Sequence, residues 1–328
     1  MANVVLNPKL QEYGAGSEIA LALKQYSGIT LQSYLMALVA TKYALKKDIT
    51  GKGNSYQFPA TARVSAEEHT AGTELAGNNQ PEIEERTITV DNKQLMSHRY
   101  FDEVQEFIGH FDTRRIAAQL HGHAVGKEVD NRMLRMIALG ARQTATGAGD
   151  DEFRAGNRVQ ADIAGAVTVA YPKTLNGSEE LQDDFEEIGR DMDDKDVPDN
   201  ARVAFLTPYL RDVLLADKSI VSHDYQDQNT MLTQKVLLVK RFRIELTNNM
   251  PSTNVVVGEA AYQGDFSKTV ALFIGDGTAI GQVTTGGGGV RPITPVWIDR
   301  VQSWLQGAKI LQGCKWLRPE ACGELYLQ

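Results

Sequence analysis

The stretch YQFPATARVSA, residues 56–66, decides the fold, because an apolar or small residue occupies every second position without a break. A period of two residues predicts a β-strand. At about 3.3 Å per residue this strand would span roughly 36 Å, longer than the usual strand of about five or six residues. The sequence therefore predicts one unusually extended strand within its first third.

The chain then returns through a second alternating run. Residues 67–86 are acidic and polar, and Arg86, Ile88 and Val90 follow on alternate positions. Together the two runs predict an extended β-hairpin between residues 49 and 101. An isolated two-stranded arm is only marginally stable in water. We therefore expect the apolar face of the hairpin to pack against another molecule, so that the chain is one tile of an assembly.

The composition excludes several classes of protein. With 328 residues, 42% of them hydrophobic, the chain is long enough for about two domains with a buried core. A formal net charge of −8 argues against a general nucleic-acid coat, because binding phosphates requires an excess of Lys and Arg. The two cysteines, Cys314 and Cys322, form no secreted-type disulfide framework and predict reduced thiols in a cytoplasmic protein. Residues 1–10 lack the layout of a signal peptide, and we predict neither export nor a membrane span.

Outside the hairpin, the periodicity predicts two prominent helices. Residues 1–45 show an amphipathic pattern that predicts an arm of short helices. A second helix is predicted to begin at Ser178, whose hydroxyl can act as the N-cap. A long helix is predicted over residues 112–142, with these positions on its buried face: Ile116, Leu120, Ala124, Val129, Met133, Met136 and Ile137.

Short apolar runs predict strands between these helices. The helix beginning at Ser178 carries one apolar stripe through Leu181, Phe185, Ile188 and Met192. Helices and strands are interspersed without a regular β-α-β repeat, which indicates an α+β fold. The predicted strands lie at 203–206, 236–239, 241–244, 255–257 and 270–274, and Thr207-Pro208 opens a further helix.

Several motifs that carry chemistry in other proteins fail here on spacing. The glycines at 286–289 are not followed by a lysine, so they predict a flexible surface loop and no phosphate site. The glycines at 275–281 miss the dinucleotide fingerprint. The acidic run 191–196 resembles a calcium loop, but its sixth and twelfth positions hold aspartate and arginine instead of glycine and glutamate. His121 and His123 are two positions apart and so do not share a helix face. We therefore predict no catalytic residue, no cofactor and no metal site.

A series of short motifs also occurs in one order from near residue 20 to the C-terminus. These are Leu21–Lys24 followed by Gly28, Gly51-Lys52, Gln57-Phe58-Pro59, Arg63, Ile88-Thr89-Val90-Asp91, His110-Phe111-Asp112, Leu317–Ala321 and Gly323. In this order they resemble the major capsid proteins of short-tailed, T7-like bacteriophages. Between about 145 and 300 the resemblance is confined to the order of the elements.

The resemblance implies a structural protein, not an enzyme, with the HK97-type capsid fold. It implies an N-terminal arm at 1–45, an extended loop (E-loop) at 46–106, a peripheral domain at 107–175 and 271–328, and an axial domain at 176–270. Such proteins form hexamers and pentamers that close into the icosahedral head of a virion. Some shells of this fold join a lysine to an asparagine covalently, and Lys52 is available, but no partner is identified and no cross-link is predicted.

The resemblance also implies partners and a location. The shell would enclose double-stranded DNA without sequence-specific contact, would assemble in the bacterial cytoplasm with a scaffolding protein and a portal protein, and would accept decoration or cement proteins. Two alternatives stay open. An encapsulin-like nanocompartment would have the same fold and a groove for cargo. A nucleotide-dependent enzyme would be a monomer that binds nucleotide, which megadalton particles would exclude.

The charges of the hairpin and of the long helix suggest a contact between subunits. Residues 66–86 carry six Glu against one Arg, a net charge of −5, whereas residues 112–142 carry six basic against three acidic residues, a net charge of +3. One hypothesis places Glu84 and Glu85 of one subunit over the Arg114 and Arg115 region of its neighbour, where they steer assembly. The alternative is that both are solvated faces whose ion pairs are worth about 0–1 kcal/mol each.

Overall fold

The computed structural model describes residues 18–51, 53–62, 66, 68–74, 83–102, 113–146, 153–161, 171–217, 238–286 and 289–327. In these ranges the α-helices are α1 (Glu18–Ala37), α2 (Thr113–Ala141), α3 (Leu175–Asp194) and α4 (Pro208–Leu214). The strands are β1 (Leu45–Ile49), β2 (Ser55–Thr61), β3 (Ile83–Thr89), β4 (Leu95–Asp102), β5 (Asn157–Gln160), β6 (Val203–Leu206), β7 (Leu238–Val239), β8 (Phe242–Leu246), β9 (Asn254–Val255), β10 (Gly264–Asp265), β11 (Thr269–Ile274), β12 (Ile280–Thr285), β13 (Arg291–Ile298), β14 (Ser303–Ile310), β15 (Gln312–Trp316) and β16 (Cys322–Tyr326). The predicted α+β class is confirmed.

The main core forms around a mixed sheet of six strands in the order β5-β16-β11-β6-β8-β7. Every residue of β6 and β11 is buried, as expected for central strands covered on both faces. The aromatic rings of Phe185, Phe242 and Phe273 pack edge to face in this core, with centroids 4.9 to 6.1 Å apart. The predicted strands 203–206 and 270–274 are therefore confirmed.

The other strand predictions held less well. The predicted strand 236–239 lies partly outside the described residues, and β7 begins at Leu238. The predicted strand 255–257 is wrong in its extent, because β9 ends at Val255 and the next two valines have 68% and 83% of their surface exposed. Strands β12 to β16 were not predicted. They form two three-stranded sheets, β1-β12-β15 and β13-β14-β4, and also supply β16 to the main sheet.

Helix α3 has the predicted apolar stripe but a different start. Leu181, Phe185, Ile188 and Met192 are fully buried. The predicted N-cap at Ser178 is wrong, because the helix begins at Leu175 and its N-cap is Thr174, whose side chain accepts a hydrogen bond from the Gly177 N–H at 3.2 Å. Threonine supplies the same capping oxygen as serine, and the helix extends back to it because Leu175, Asn176 and Gly177 also adopt helical geometry.

The long helix α2 lies within one residue of the predicted bounds, but half of its predicted buried face is wrong. From Val129 onward the predicted apolar positions are buried. In the N-terminal half, 48% of the Ile116 surface and 62% of the Leu120 surface are exposed, and Ala124 is exposed as well. The buried residues there are instead Ala117, Ala118, His121, Gly122, Val125 and Gly126.

Close packing of α1 explains this difference. A Cβ atom added at Gly122 would lie 2.3 Å from the carbonyl oxygen of Thr30, and one added at Gly126 would lie 2.8 Å from the Cβ of Ala37. Two glycines spaced four residues apart let the backbones of α1 and α2 approach each other, so α1 covers the glycine face of α2 and leaves its larger apolar side chains outside. Within the described ranges, no helix combines the length and apolar character needed to cross a bilayer.

Candidate assembly surface

The predicted hairpin is present in the described part of the chain. Strands β2 and β3 pair antiparallel, with Phe58 opposite Arg86. The strand predicted over residues 56–66 is shorter than expected, because β2 ends at Thr61 and Ala62 is no longer in the ladder. Residues 63–65, 67 and 75–82, together with Lys52, lie outside the described part of the chain.

The base of the hairpin packs on its own subunit. Phe58 and Ile88 are buried in a cluster with Val283 and Leu317. The close contact is made at Gly281, where an added Cβ would lie 2.4 Å from the Ile88 side chain. The expectation that the whole apolar face depends on another molecule is therefore wrong for the base of the hairpin. The reason is that β12 presents a glycine where the hairpin crosses it, so the apolar side chains find a groove within the same chain.

Toward its tip the hairpin is exposed, and Ile83 on β3 has 66% of its surface exposed. Tyr56, which lies opposite Ile88 at the base, has 37% of its surface exposed. Glu84 and Glu85 are exposed as well. Large apolar side chains that face solvent on a projecting ribbon are the kind of surface that protein interfaces cover. This part of the hairpin therefore keeps the character that the sequence predicted.

Arg86 ties the hairpin to the body, whereas the sequence marked it only as a member of the alternating run and of the charge count. Its guanidinium lies 4.7 Å from the ring centroid of Trp316 and 5.5 Å from that of Phe153, and its Nη1 donates to the Leu317 carbonyl at 2.9 Å. Burial lowers the pKa of Arg86, and Glu84 at 3.8 Å opposes that shift. The sequence contained one signal for this role: a charged residue at a position of the alternating strand that faces inward with the apolar residues.

A second polar junction holds the chain where the hairpin returns. Asp91 accepts hydrogen bonds from Arg132 at 2.7 Å and from the hydroxyl of Tyr262 at 2.9 Å. The Tyr262 hydroxyl in turn accepts from the backbone N–H of Cys314 at 3.0 Å. Burial raises the pKa of Asp91 to about 6, although Tyr262 and Arg132 both oppose the shift. The junction thus links the end of the hairpin, the long helix and β15.

A third junction holds the end of the arm helix. Asp130 of α2 is fully buried, and its Oδ1 accepts from the backbone N–H groups of Val39 and Ala40 at 2.9 and 2.8 Å. Its Oδ2 accepts from the Asn249 side chain at 3.2 Å. The carboxylate therefore caps the 3₁₀-helix Ala40–Tyr43 that follows α1. Burial raises the pKa of Asp130, and the backbone hydrogen bonds oppose the shift.

The long helix does not offer all of its basic residues to a neighbour. Arg132 pairs with Asp91 and with Glu128, and Arg135 lies 3.7 Å from the same glutamate. Arg142 pairs with the buried Glu324. These arginines balance carboxylates of their own subunit, so they add less to the positive charge that the helix presents to a neighbour. The hypothesis that places Glu84 and Glu85 over the Arg114 and Arg115 region of a neighbour stays a prediction.

The remaining motifs occupy structural positions. Gly286 turns the chain with φ of +72°, a conformation that favours glycine. Within the acidic run 191–196, Asp193 pairs with Arg202 at 2.6 Å, which is ion pairing within the subunit and not metal ligation. The His121 Nδ1 lies 2.7 Å from the Ser97 hydroxyl, and burial lowers the pKa of His121. Both cysteines are buried and free. Among the described residues, no group of three or more His, Cys, Asp or Glu side chains is arranged to hold a metal ion.

An arm helix, an extended hairpin, a long helix and a mixed sheet, in this order along the chain, define the class of HK97-type capsid proteins, and solved structures agree. The capsid protein of the cyanophage P-SCSP1u is 22% identical, with a TM-score of 0.74 over 89% of this chain and 88% of that chain. The mature capsid of bacteriophage PhiM1 matches at 17% identity, with a TM-score of 0.70 over 89% and 87%. These likenesses establish the fold.

The family follows from the sequence match. A model of the Gp10A-like major capsid protein family matches residues 57–279, which is more than half of the chain. The chain therefore belongs to the Gp10A-like major capsid protein family, and it is a structural component of a bacteriophage virion. No curated protein sequence matches it.

The encapsulin-like alternative gains no better support. A virus-like particle from Pyrococcus furiosus shares the fold, with a TM-score of 0.55, 11% identity and coverage of 93% of this chain and 99% of that chain. At this identity the likeness shows the fold alone, whereas the family match is to major capsid proteins.

Proposed function

We propose that this major capsid protein forms the hexamers and pentamers of an icosahedral head that encloses the double-stranded DNA of a short-tailed phage. The observation that carries the proposal is the exposed apolar surface of the hairpin: Ile83 toward the tip and Tyr56 at the base present area that the described part of the subunit does not cover. Burying that surface against the next subunit stabilises each contact, and repeating the contact around closed rings builds the shell.

Electron microscopy of the expressed full-length chain tests this proposal. We expect megadalton particles, as closed shells or as tubes of the same lattice, at micromolar protein concentration. Replacing Tyr56 and Ile83 with serine should raise the concentration needed for particle formation at least tenfold. The matched control replaces Val256 and Val257, which lie outside the hairpin and are more exposed than Tyr56 and Ile83, with serine. A monomer at every concentration tested would contradict the proposal.

We divide the chain into four regions on the same basis: an arm at 1–45, an extended loop at 46–106, a peripheral domain at 107–175 and 271–328, and an axial domain at 176–270. The close packing of α1 on α2 supports an arm that docks on the peripheral domain. The six-stranded sheet takes strands from both of the larger regions. We therefore expect these two regions to unfold together and not as separate units.

The proposed partners follow from the same function. A scaffolding protein would guide assembly in the host cytoplasm, and a portal protein would occupy one vertex. The net charge of −8 supports a shell that encloses DNA without binding its phosphates strongly. Decoration or cement proteins would bind the outer face. Co-purification of particles with the products of neighbouring phage genes tests these partners one by one, and particles that close and fill with DNA in the absence of any partner would contradict them.

The charge hypothesis has its own test. Reversing Glu84 and Glu85 to lysine should abolish or misdirect assembly at low salt and leave the subunit folded, because both side chains are exposed. The control reverses the exposed Glu179 and Asp183 of α3 to lysine, which changes the net charge equally. Normal shells from the Glu84 and Glu85 variant would show that these charges are only solvated.

A further inference from the structure

One buried cation, Arg86, lies in the described part of the hairpin. Along β3 the side chains from Ile83 to Glu85 are exposed, whereas Arg86 and Ile88 are buried. On the partner strand, residues 59–61 are also not buried. Arg86 and Phe58, which lie opposite each other on the two strands, are therefore the buried pair nearest the tip of the described hairpin. This pair marks the boundary between the anchored base and the exposed part of the hairpin.

Three groups from two distant segments surround the guanidinium of Arg86. It lies between the rings of Trp316, at 4.7 Å, and Phe153, at 5.5 Å. Its Nη1 also donates to the carbonyl of Leu317 at 2.9 Å. A guanidinium is planar, and stacking on a ring together with an in-plane hydrogen bond admits only a narrow range of orientations. The contact is therefore directional.

The other contacts at the base of the hairpin are not directional. Phe58 and Ile88 anchor the hairpin by burying apolar area, and the hydrophobic effect has no preferred direction. Two clefts flank the contact. One of about 570 Å³ lies between β2 and residues 317–320, and one of about 230 Å³ lies between residues 84–86 and 143–146. Both have Arg86 in their walls, so the hairpin has room to turn about its base on either side of this side chain.

We infer that Arg86 is a positioning residue, and that its clamp between Trp316 and Phe153 sets the angle at which the hairpin leaves the body. The partner that meets this angle is a second copy of the same chain. The inference rests on the proposed shell function, because the angle has a consequence only where the hairpin lies against a neighbour. An interface that repeats around a closed shell also repeats any angular error, so a loose clamp prevents regular closure.

The first experiment measures hydrogen exchange in full-length subunits kept below the concentration at which they assemble. Arg86→Lys keeps the charge but loses the planar group, and Arg86→Leu keeps only apolar bulk. In both variants we expect the amides of β2 and β3 to exchange at least tenfold faster, with β11 unchanged. Arg99→Leu is the control, because Arg99 is exposed and stacks only on Phe101 of its own strand, at 5.7 Å.

The second experiment measures particles of the same variants by electron microscopy. We expect open sheets or shells of mixed diameter from both Arg86 variants and uniform closed shells from Arg99→Leu. Unchanged exchange in the hairpin, or equal acceleration in the hairpin and β11, would overturn the clamp. Uniform shells of unaltered diameter despite faster hairpin exchange would overturn its role in assembly. Absence of particles from the unsubstituted chain would instead refute the proposed function, and the exchange result would still decide whether Arg86 orients the hairpin.

Discussion

Replacing Asp130 with alanine should release the end of the arm helix from the long helix. The buried carboxylate is the acceptor for the N–H groups of Val39 and Ala40 at 2.9 and 2.8 Å, and for the Asn249 amide at 3.2 Å. Without it the buried Ala40 N–H and the partly buried Val39 and Asn249 donors lose their acceptor, and an unpaired buried donor costs about 1–3 kcal/mol. Burial raises the pKa of Asp130, which shows that the carboxylate is poorly solvated, so removing its charge offsets part of the lost stability. We expect the free energy of unfolding to fall by about 2–4 kcal/mol.

Two further variants separate the causes of this loss. Asp130→Asn keeps an acceptor oxygen without the charge, so it should lose only about 1 kcal/mol. Asp183→Ala removes an exposed carboxylate from α3 and should change stability by less than about 0.5 kcal/mol. If Asp130→Ala and Asp130→Asn lower the free energy of unfolding equally, the loss comes from the charge and not from the unpaired N–H groups.

Urea denaturation of the dispersed full-length subunit measures these differences, and hydrogen exchange locates them. In Asp130→Ala the amides of α1 and of the 3₁₀-helix Ala40–Tyr43 should exchange faster than those of β11, because the lost contacts lie at the arm. A free energy of unfolding within about 0.5 kcal/mol of the unsubstituted protein would refute this account of the arm junction.

Three other predictions follow from the same structure. Gly126→Val should destabilise the subunit by about 1–3 kcal/mol and expose α1 to exchange, because an added Cβ would lie 2.8 Å from the Cβ of Ala37; unchanged exchange would contradict it. The two-residue turn between β7 and β8 has φ values of +44° at Lys240 and +72° at Arg241, which Asn and Gly adopt with less strain. Replacing Lys240 with Asn and Arg241 with Gly should therefore raise the free energy of unfolding by about 1 kcal/mol and raise the urea midpoint, even though two exposed ion pairs are lost. A lower urea midpoint would contradict this prediction. The pKa of Asp91 is raised to about 6, so the folded state binds this proton more tightly than the unfolded chain does. The contribution of Asp91 to the free energy of unfolding should therefore decline as the pH rises from about 4 to about 6. Asp91→Asn should remove this part of the pH dependence of stability, and an unaltered pH dependence would contradict the assignment.

The sequence predicted the structure best where an element depends on residues that are neighbours along the chain. The bounds of α2, the stripe of α3 and the strand at residues 203–206 follow from local periodicity, which needs no knowledge of distant segments. The hairpin was found for the same reason, since two alternating runs pair across one loop. The errors at Ser178 and at residues 255–257 concern only where an element begins or ends, and there several neighbouring residues can serve equally well.

The candidate site was harder to predict, because its key residues are joined across long separations in sequence. The Leu317 carbonyl that holds Arg86 lies 231 positions away, and the N–H groups that bind Asp130 lie about 90 positions away. No local pattern marks either contact. An arginine in a strand and an aspartate in a helix are both common on solvated surfaces, and only the arrival of another segment makes them buried.

The amino-acid sequence by itself therefore determined the order of the elements, the extended hairpin and the capsid class, because these depend on short-range periodicity and on the order of its motifs. The tertiary structure alone decided which face of α2 is buried, since its two glycines admit α1 more closely than the larger apolar side chains do. It also decided how the hairpin is held. Both outcomes depend on close packing between distant segments, which a one-dimensional pattern does not contain.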